Sequence, residues 1–332
     1  MPSRRDAVLE GTLEASRLHD SLQTDTRIEL LGGRVDVFAA ILARGSELLF
    51  RQLDGYLGLY LPKPRPGILV TTERSLAIQR YTGAHELGHF VLGHRGSLDD
   101  DEILHRSPFS QQYDPEEVAA DSFAATFLMP RFLVEFHAAR QGWNAAHLTD
   151  PFNVYQLALR LGTSYSATCR TLLQHQIITP AVANSLLAVQ PKALKQHLLG
   201  KKALSNWRPN VWVLTERDQG AAIYGEPGDL FIVRLKEHTG SGYLWDVRQV
   251  EAAGFVLMAD DRQLFGPEGE VGGAVDRVLT ARSDSASIGN VDLREKRPWD
   301  ANDVFGHLSF AYDLRGREHG LPRAARERLL AA

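Results

Sequence analysis

The stretch Arg80-Tyr-Thr-Gly-Ala-His-Glu-Leu-Gly-His89 decides how this chain is read. It sits in a helical pattern from Ser75 to Gly93, with Gly93 and Gly96 as stop signals. On a helix, His85 and His89 share one face, so both imidazoles can hold one metal ion. Glu86 projects beside them, placed to take a proton from metal-bound water rather than to ligate. A catalytic zinc ion usually has three protein ligands and one open position, which calls for a third donor. Working outward, Asp114-Pro115 begins a second helix that ends before Pro130, because Asp caps and Pro suits the first turn. Glu117 and Asp121 lie one helical turn apart on it. Glu117 is the candidate third ligand, ahead of its rival Glu116, which points about 100° away. Asp121 is the candidate to orient a ligand imidazole from behind, and His94, at the helix end, is a further candidate contact. His105 and Tyr113, in the connecting loop, are candidate oxyanion donors.

The rest of the chain falls into blocks. Leu9, Leu13, Leu18 and Leu22 recur at helical spacing, as do Val35, Phe38, Ile41 and Leu42. Leu48 to Leu53 and Gly67 to Thr72 read as short strands flanking a Pro-rich turn, and the second of them is expected to be an exposed edge for an extended substrate. Val154 to Leu161, the break at Gly162, and a helix capped by Thr163-Ser164 make a helix-turn-helix pattern. After a linker at 201–209, short β-rich runs separated by Gly-rich turns suggest a β-sandwich. The expected fold class is α+β multidomain, with a domain carrying the His85–His89 helix at 1–149, a helical extension at 150–200, a sandwich at 210–315 and a tail at 316–332.

Composition narrows the function. The 332 residues carry 37 basic and 41 acidic side chains, for a net charge of -4, which argues against a dedicated nucleic-acid binder. The second helix of the helix-turn-helix offers Arg170 as its sole cation, so direct DNA binding is not expected. One cysteine, Cys169, excludes an internal disulfide framework and a multi-cysteine zinc site, and fits a reducing cytoplasm. No run approaches the ~18 apolar residues of a membrane-spanning helix, and the N-terminus has no secretory h-region.

Gly67-Ile-Leu-Val, the Arg80–His89 stretch, and Glu117-x-x-Ala-Asp-x-Phe-Ala-Ala-x-x-Leu-Met-Pro130 together resemble the ImmA/IrrE family of zinc metallopeptidases. The resemblance implies a gluzincin-like domain with His85, His89 and Glu117 as zinc ligands and Glu86 as general base. Several members of that family cut a helix-turn-helix transcriptional repressor in stress or mobile-element responses, so the implied partner is such a regulator. Mn2+ is an alternative to Zn2+ at a site of this kind. Farther on, Gly242-Tyr243-Leu-Trp245, then Gly272-Gly273 with Arg277 following, and then Arg297-Pro298-Trp299 resemble the loops of chagasin-like protease inhibitors, which have an immunoglobulin-like sandwich. His238-Thr-Gly-Ser-Gly242 and Glu270 depart from that family's loop patterns. Tyr243, Trp245, Gly272, Gly273, Arg297, Pro298 and Trp299 are thus candidate partner-binding residues. The leading expectation is a zinc endopeptidase of narrow specificity. The alternative is a binding or inhibitory protein whose peptidase site is latent.

Overall fold

The structure is a computed structural model and describes residues 3–100, 114–200, 206–264 and 275–331. It divides into two compact units, one made of Met1–His137, Arg160–Asn184 and Arg317–Ala332, the other of Ala138–Leu159 and Ser185–Gly316.

The first unit begins with helices α1 (Arg4–Leu22) and α2 (Val37–Ala43), followed by strands β1 (Glu47–Arg51), β2 (Tyr56–Leu61) and β3 (Gly67–Thr71). Helix α3 (Leu76–Leu92), strand β4 (Ser97–Asp100) and helix α4 (Pro115–Leu128) complete its central part. The sheet order is β1-β3-β2-β4. β3 runs parallel to β1 and antiparallel to β2, so its ladder groups are engaged on both sides. This corrects the expectation that Gly67 to Thr72 forms the exposed edge: Ile68 and Val70 are core residues of an interior strand. β2 and β4, which lie next to the candidate site, were left unassigned by the sequence pattern.

Helix α1 forms where expected but turns a different face inward. Leu9 is 55% exposed and Leu13 is also exposed, while Ala7, Gly11, Ala15, Leu18 and His19 are buried. Small side chains let α1 lie against α4, where Gly11 meets the backbone of Ala119. At the end of this contact the His19 ring stacks on Phe127 at 4.7 Å between centroids and meets Phe132 edge-on at 5.4 Å.

Past α5 (Arg131–Gln141) come α6 (Pro151–Leu161) and α7 (Tyr165–Gln174), joined through Gly162 in the left-handed region. Buried Arg80 of α3 donates to the carbonyls of Val35, Leu161 and Gly162 and so satisfies the carbonyl end of α6. The C-terminal residues return to this unit. Phe50 and Gly320 exchange backbone hydrogen bonds, and Gln79 donates to the Glu318 carbonyl at 3.0 Å.

Within α8 (Pro180–Leu187) the chain passes into the second unit, where α9 (Pro191–Leu199) follows and the strands are β5 (Val211–Leu214), β6 (Ala221–Tyr224), β7 (Leu230–Glu237) and β8 (Leu244–Trp245). After helix α10 (Arg248–Ala252) come β9 (Val256–Leu264), β10 (Val275–Arg282), β11 (Ile288–Arg297) and β12 (Asp300–Asp313); α11 (Arg323–Ala331) then ends the chain in the first unit. Two four-stranded sheets, β5-β7-β10-β9 and β6-β12-β11-β8, share one apolar core around Trp212, Phe231, Leu279, Leu293 and Phe310. β6 and β11 are the strands that the sequence reading did not mark.

Burial pushes the His19 imidazole down to about 4. The unfolded chain therefore binds a proton there that the folded chain refuses, so this contribution is full above pH 6.5 and is lost as the pH falls toward 4. We expect His19→Leu to remove up to about 3 kcal/mol of acid destabilisation in that window, read as a smaller fall in thermal midpoint between pH 7 and pH 4.5 than in the wild-type chain. An unchanged slope would locate the acid sensitivity elsewhere.

Candidate metal centre

The candidate site is built by two helices that cross closely. α3 opens at Ser75 and closes at Gly93, whose φ of 70° stops the helix and turns the chain toward β4. α4 opens at Asp114, whose side chain accepts from Glu116 N, with Pro115 in the first turn. The crossing depends on Gly88: a Cβ there would stand 3.2 Å from Ala120 Cα and from Phe123 Cβ. On α4 the small Ala120 stands opposite it, and Ala119 and Ala124 are buried on the same helix. Glu117 is thereby brought beside the two imidazoles.

The donor atoms converge. His85 Nε2 and His89 Nε2 are 3.0 Å apart. Glu117 places Oε2 3.3 Å from His85 Nε2 and Oε1 3.6 Å from His89 Nε2. Four donors around a tetrahedral ion with bonds of ~2.0–2.1 Å stand about 3.3 Å from one another. The spacing therefore fits a small divalent cation, and so does the chemistry, because two imidazole nitrogens and a carboxylate are the donor types such an ion takes.

Behind the donors, His85 Nδ1 lies 3.0 Å from Asp121 Oδ1, and Tyr81 donates to the same carboxylate oxygen at 2.9 Å. An acceptor at Nδ1 fixes the proton there and leaves the Nε2 lone pair for an ion. His94 Nδ1 lies 3.0 Å from His89 Nδ1, the corresponding position on the second imidazole. Asp121 thus stands beside His85, and His94 beside His89.

The electrostatics favour positive charge at the centre. His85 is fully buried, which opposes its charging, yet Asp121, Glu117 and Asp99 outweigh burial and hold it well above its ordinary value. Burial, then the charge of Asp99, pushes Glu86 well above the usual carboxylate range. His94 is pushed down by burial and by the neighbouring His89. Ser97 donates to Glu86 Oε2 at 2.7 Å. β2 lies against the other oxygen, where a Cβ on Gly58 would meet Oε1 at 2.4 Å.

Asp99 is the residue that sequence reasoning missed. With His85, His89 and Glu117 it forms a set whose ligand atoms all lie within 4.8 Å of one another. The segment Ser97-Leu-Asp99 alternates like a strand, but the acidic run that follows made it look like the start of a polar loop. His105 and Tyr113 lie outside the described residues.

At one end of the sandwich a second group assembles. The guanidinium of Arg297 sits 4.7 Å from the centre of the Tyr243 ring, and the Tyr243 hydroxyl donates to Asp303 at 2.9 Å. Phe305, unmarked in the sequence, stacks obliquely against Tyr243 and His238. Trp299 is 73% exposed and Phe305 59%, and Pro298 is exposed beside them. Trp245 differs. It is buried in the core with its ring N–H donating to the Lys236 carbonyl, so the structure corrects its candidacy as a contact residue. Beneath it, Arg277 is buried with Glu237, pairs with the more exposed Asp260, and donates to the Trp245 carbonyl. Gly272, Gly273 and Glu270 lie outside the described residues.

Comparison with known proteins agrees with both regions. Residues 43–173 match the family model for the IrrE N-terminal-like domain, peptidase M78. Residues 226–313 match that of the chagasin family peptidase inhibitor I42. No curated protein matches the chain. Among solved structures, the cysteine protease inhibitor EhICP2 from Entamoeba histolytica is 21% identical, covering 33% of this chain and 100% of that one, with a TM-score of 0.29. PbICP-C, solved in complex with falcipain-2, is 14% identical over 33% of this chain and 94% of that one, with a TM-score of 0.19. A Mycobacterium tuberculosis transcriptional regulator is 14% identical over 86% of this chain and 82% of that one, with a TM-score of 0.30.

Gly88→Ala should force the two helices apart at the crossing. We expect it to cost about 1–3 kcal/mol of stability and to weaken Zn2+ binding at least tenfold, checked by chemical denaturation and by competition with a chromophoric chelator. Wild-type Zn2+ affinity in a folded Gly88→Ala protein would contradict the role given to the crossing.

Proposed function

We propose that the IrrE-like domain at 43–173 makes this chain a zinc-dependent endopeptidase of narrow specificity. The observation that carries this reading is the convergence of His85, His89 and Glu117 on one point, with Glu86 beside it. His85, His89 and Glu117 would hold the ion, supported from behind by Asp121 and His94. Zinc supplies a Lewis acid that acidifies water and polarises the scissile carbonyl. Glu86 takes the proton from the attacking water and passes it to the leaving amine, a base that becomes an acid. Burial and the charge of Asp99 raise its affinity for a proton, which strengthens it as the group that takes one from water. Mn2+ remains an alternative occupant, since such donor sets accept several divalent ions.

The substrate in this reading is a helix-turn-helix transcriptional regulator, cut in a stress or mobile-element response, as the resemblance of the motifs implies. Helices α6 and α7 serve as a structural or docking pair rather than as a DNA reader, and the sole cysteine, buried Cys169, goes with a reducing cytoplasm. Among the described residues no helix is long and apolar enough to cross a membrane.

A second reading is favoured by one observation, the exposed Trp299 beside Gly242 and the exposed Phe305 packed on Tyr243, whose ring lies under the Arg297 guanidinium. Rigid aromatic side chains of this kind make good protein-contact anchors. The sandwich is then a docking or inhibitory module, and the peptidase site is latent.

Two experiments separate these readings. Glu86→Gln should retain Zn2+ but lose at least a thousandfold in cleavage of a co-encoded regulator, and chelation of the metal should abolish cleavage reversibly. Retained activity in Glu86→Gln would end the general-base assignment. Trp299→Ala combined with Phe305→Ser should leave folding intact and weaken capture of the partner protein at least tenfold in surface binding measurements; unchanged capture would remove the docking role from this tip.

A further inference from the structure

The sheet of the first unit ends in a strand for which the hydrolytic reading has no use. β4 pairs antiparallel with β2, setting Tyr60 opposite Ser97, Leu59 opposite Leu98 and Gly58 opposite Asp99. It is the outermost strand on that side. β2 itself lies directly against the general base, as the contact between Gly58 and Glu86 shows. An extended peptide that adds to β2 as another strand would therefore run past the donor set with its main chain held by ladder hydrogen bonds. That position is filled by the chain's own β4.

The side chains of β4 follow strand alternation, and the inward ones engage the site. Ser97 donates to Glu86 Oε2 at 2.7 Å. Asp99 is 3% exposed and puts Oδ2 3.5 Å from His85 Nε2, inside the donor set. Leu98, between them, points outward. The two polar groups thus engage the general base and the donor set.

Resting on the endopeptidase reading, we propose that Ser97–Asp99 is an internal plug: β4 holds the β2 edge where an extended substrate binds, and Asp99 fills the coordination position that catalysis needs open. Three protein donors leave room for water or a carbonyl, whereas four close a tetrahedral site. A four-residue edge strand is held by few ladder hydrogen bonds and is the kind of element that opens locally at low cost. The resting enzyme is therefore latent, and a substrate strand that pairs with β2 both docks and uncovers the metal.

The test uses the full-length protein loaded with Co2+ and titrated with acetohydroxamate, a small chelating probe for an open position. Visible absorption reports coordination without any protein substrate. Asp99→Asn and Asp99→Ala should each change the Co2+ spectrum and bind acetohydroxamate at least tenfold more tightly than the wild-type chain. Independently, Leu59→Cys with Leu98→Cys can lock β4 to β2, because these residues are direct cross-strand partners and Cys169 is buried. The oxidised double variant should cleave at least tenfold more slowly and recover on reduction. Unchanged spectra and probe affinity in both Asp99 variants, or full activity of the locked form, would overturn the plug while leaving the peptidase standing. Failure of the wild-type chain to take up Co2+ would bring down the metal site and the plug together.

Discussion

The close crossing of α3 and α4 at Gly88 is the constraint on which the candidate centre depends. Ligand imidazoles on one helix fix only part of a coordination sphere, and the third donor has to come from elsewhere in the chain. Glu117 reaches them because glycine and alanine at the crossing let two backbones approach more closely than ordinary side chains permit. The same economy of side-chain volume recurs where α1 lies on α4, where the buried face of α1 is made of Ala7, Gly11 and Ala15 together with Leu18, while Leu9 and Leu13 are exposed. The helices of this unit are selected for slimness where they meet, and the polar donors sit at the edge of that slim contact.

Burying so many ionisable groups in one place costs free energy unless they compensate one another. Here Asp121 and Tyr81 stand behind His85, His94 stands behind His89, and Asp99 and Ser97 flank Glu86. Carboxylates outnumber the groups able to carry positive charge, which explains why the field at the centre favours a cation and why Glu86 resists losing its proton. A donor set with this balance of charge is suited to a divalent cation. The position of Asp99 adds a second consequence, because the same carboxylate that raises Glu86 also stands 3.5 Å from His85 Nε2, inside the donor set.

The sandwich unit uses a different arrangement for a different task. Its core residues come from both sheets, and buried Arg277 ties β7, β9 and the Trp245 backbone into one network. That rigid base presents Tyr243, Arg297, Trp299 and Phe305 at one end, some packed on each other and some bare. Aromatic groups held in this way lose little freedom on contact with another protein, which is what a recognition surface requires.

The spacing of His85, Glu86 and His89, the paired acids Glu117 and Asp121, the helix that carries each, and most of the sandwich strands were determined by the sequence by itself, because periodicity and caps are local properties of the chain. Tertiary structure alone decided which face of α1 is buried, that β3 is interior, that Trp245 is core, and that Phe305 joins the exposed cluster. It also decided that Ser97 and Asp99 enter the site. A four-residue strand carries too little pattern to be recognised alone, and a side chain's neighbours across a sheet edge depend on register, which is set by pairing between segments distant in sequence. Local signals name the donors; only the packing of helices and the pairing of strands say how many of them meet.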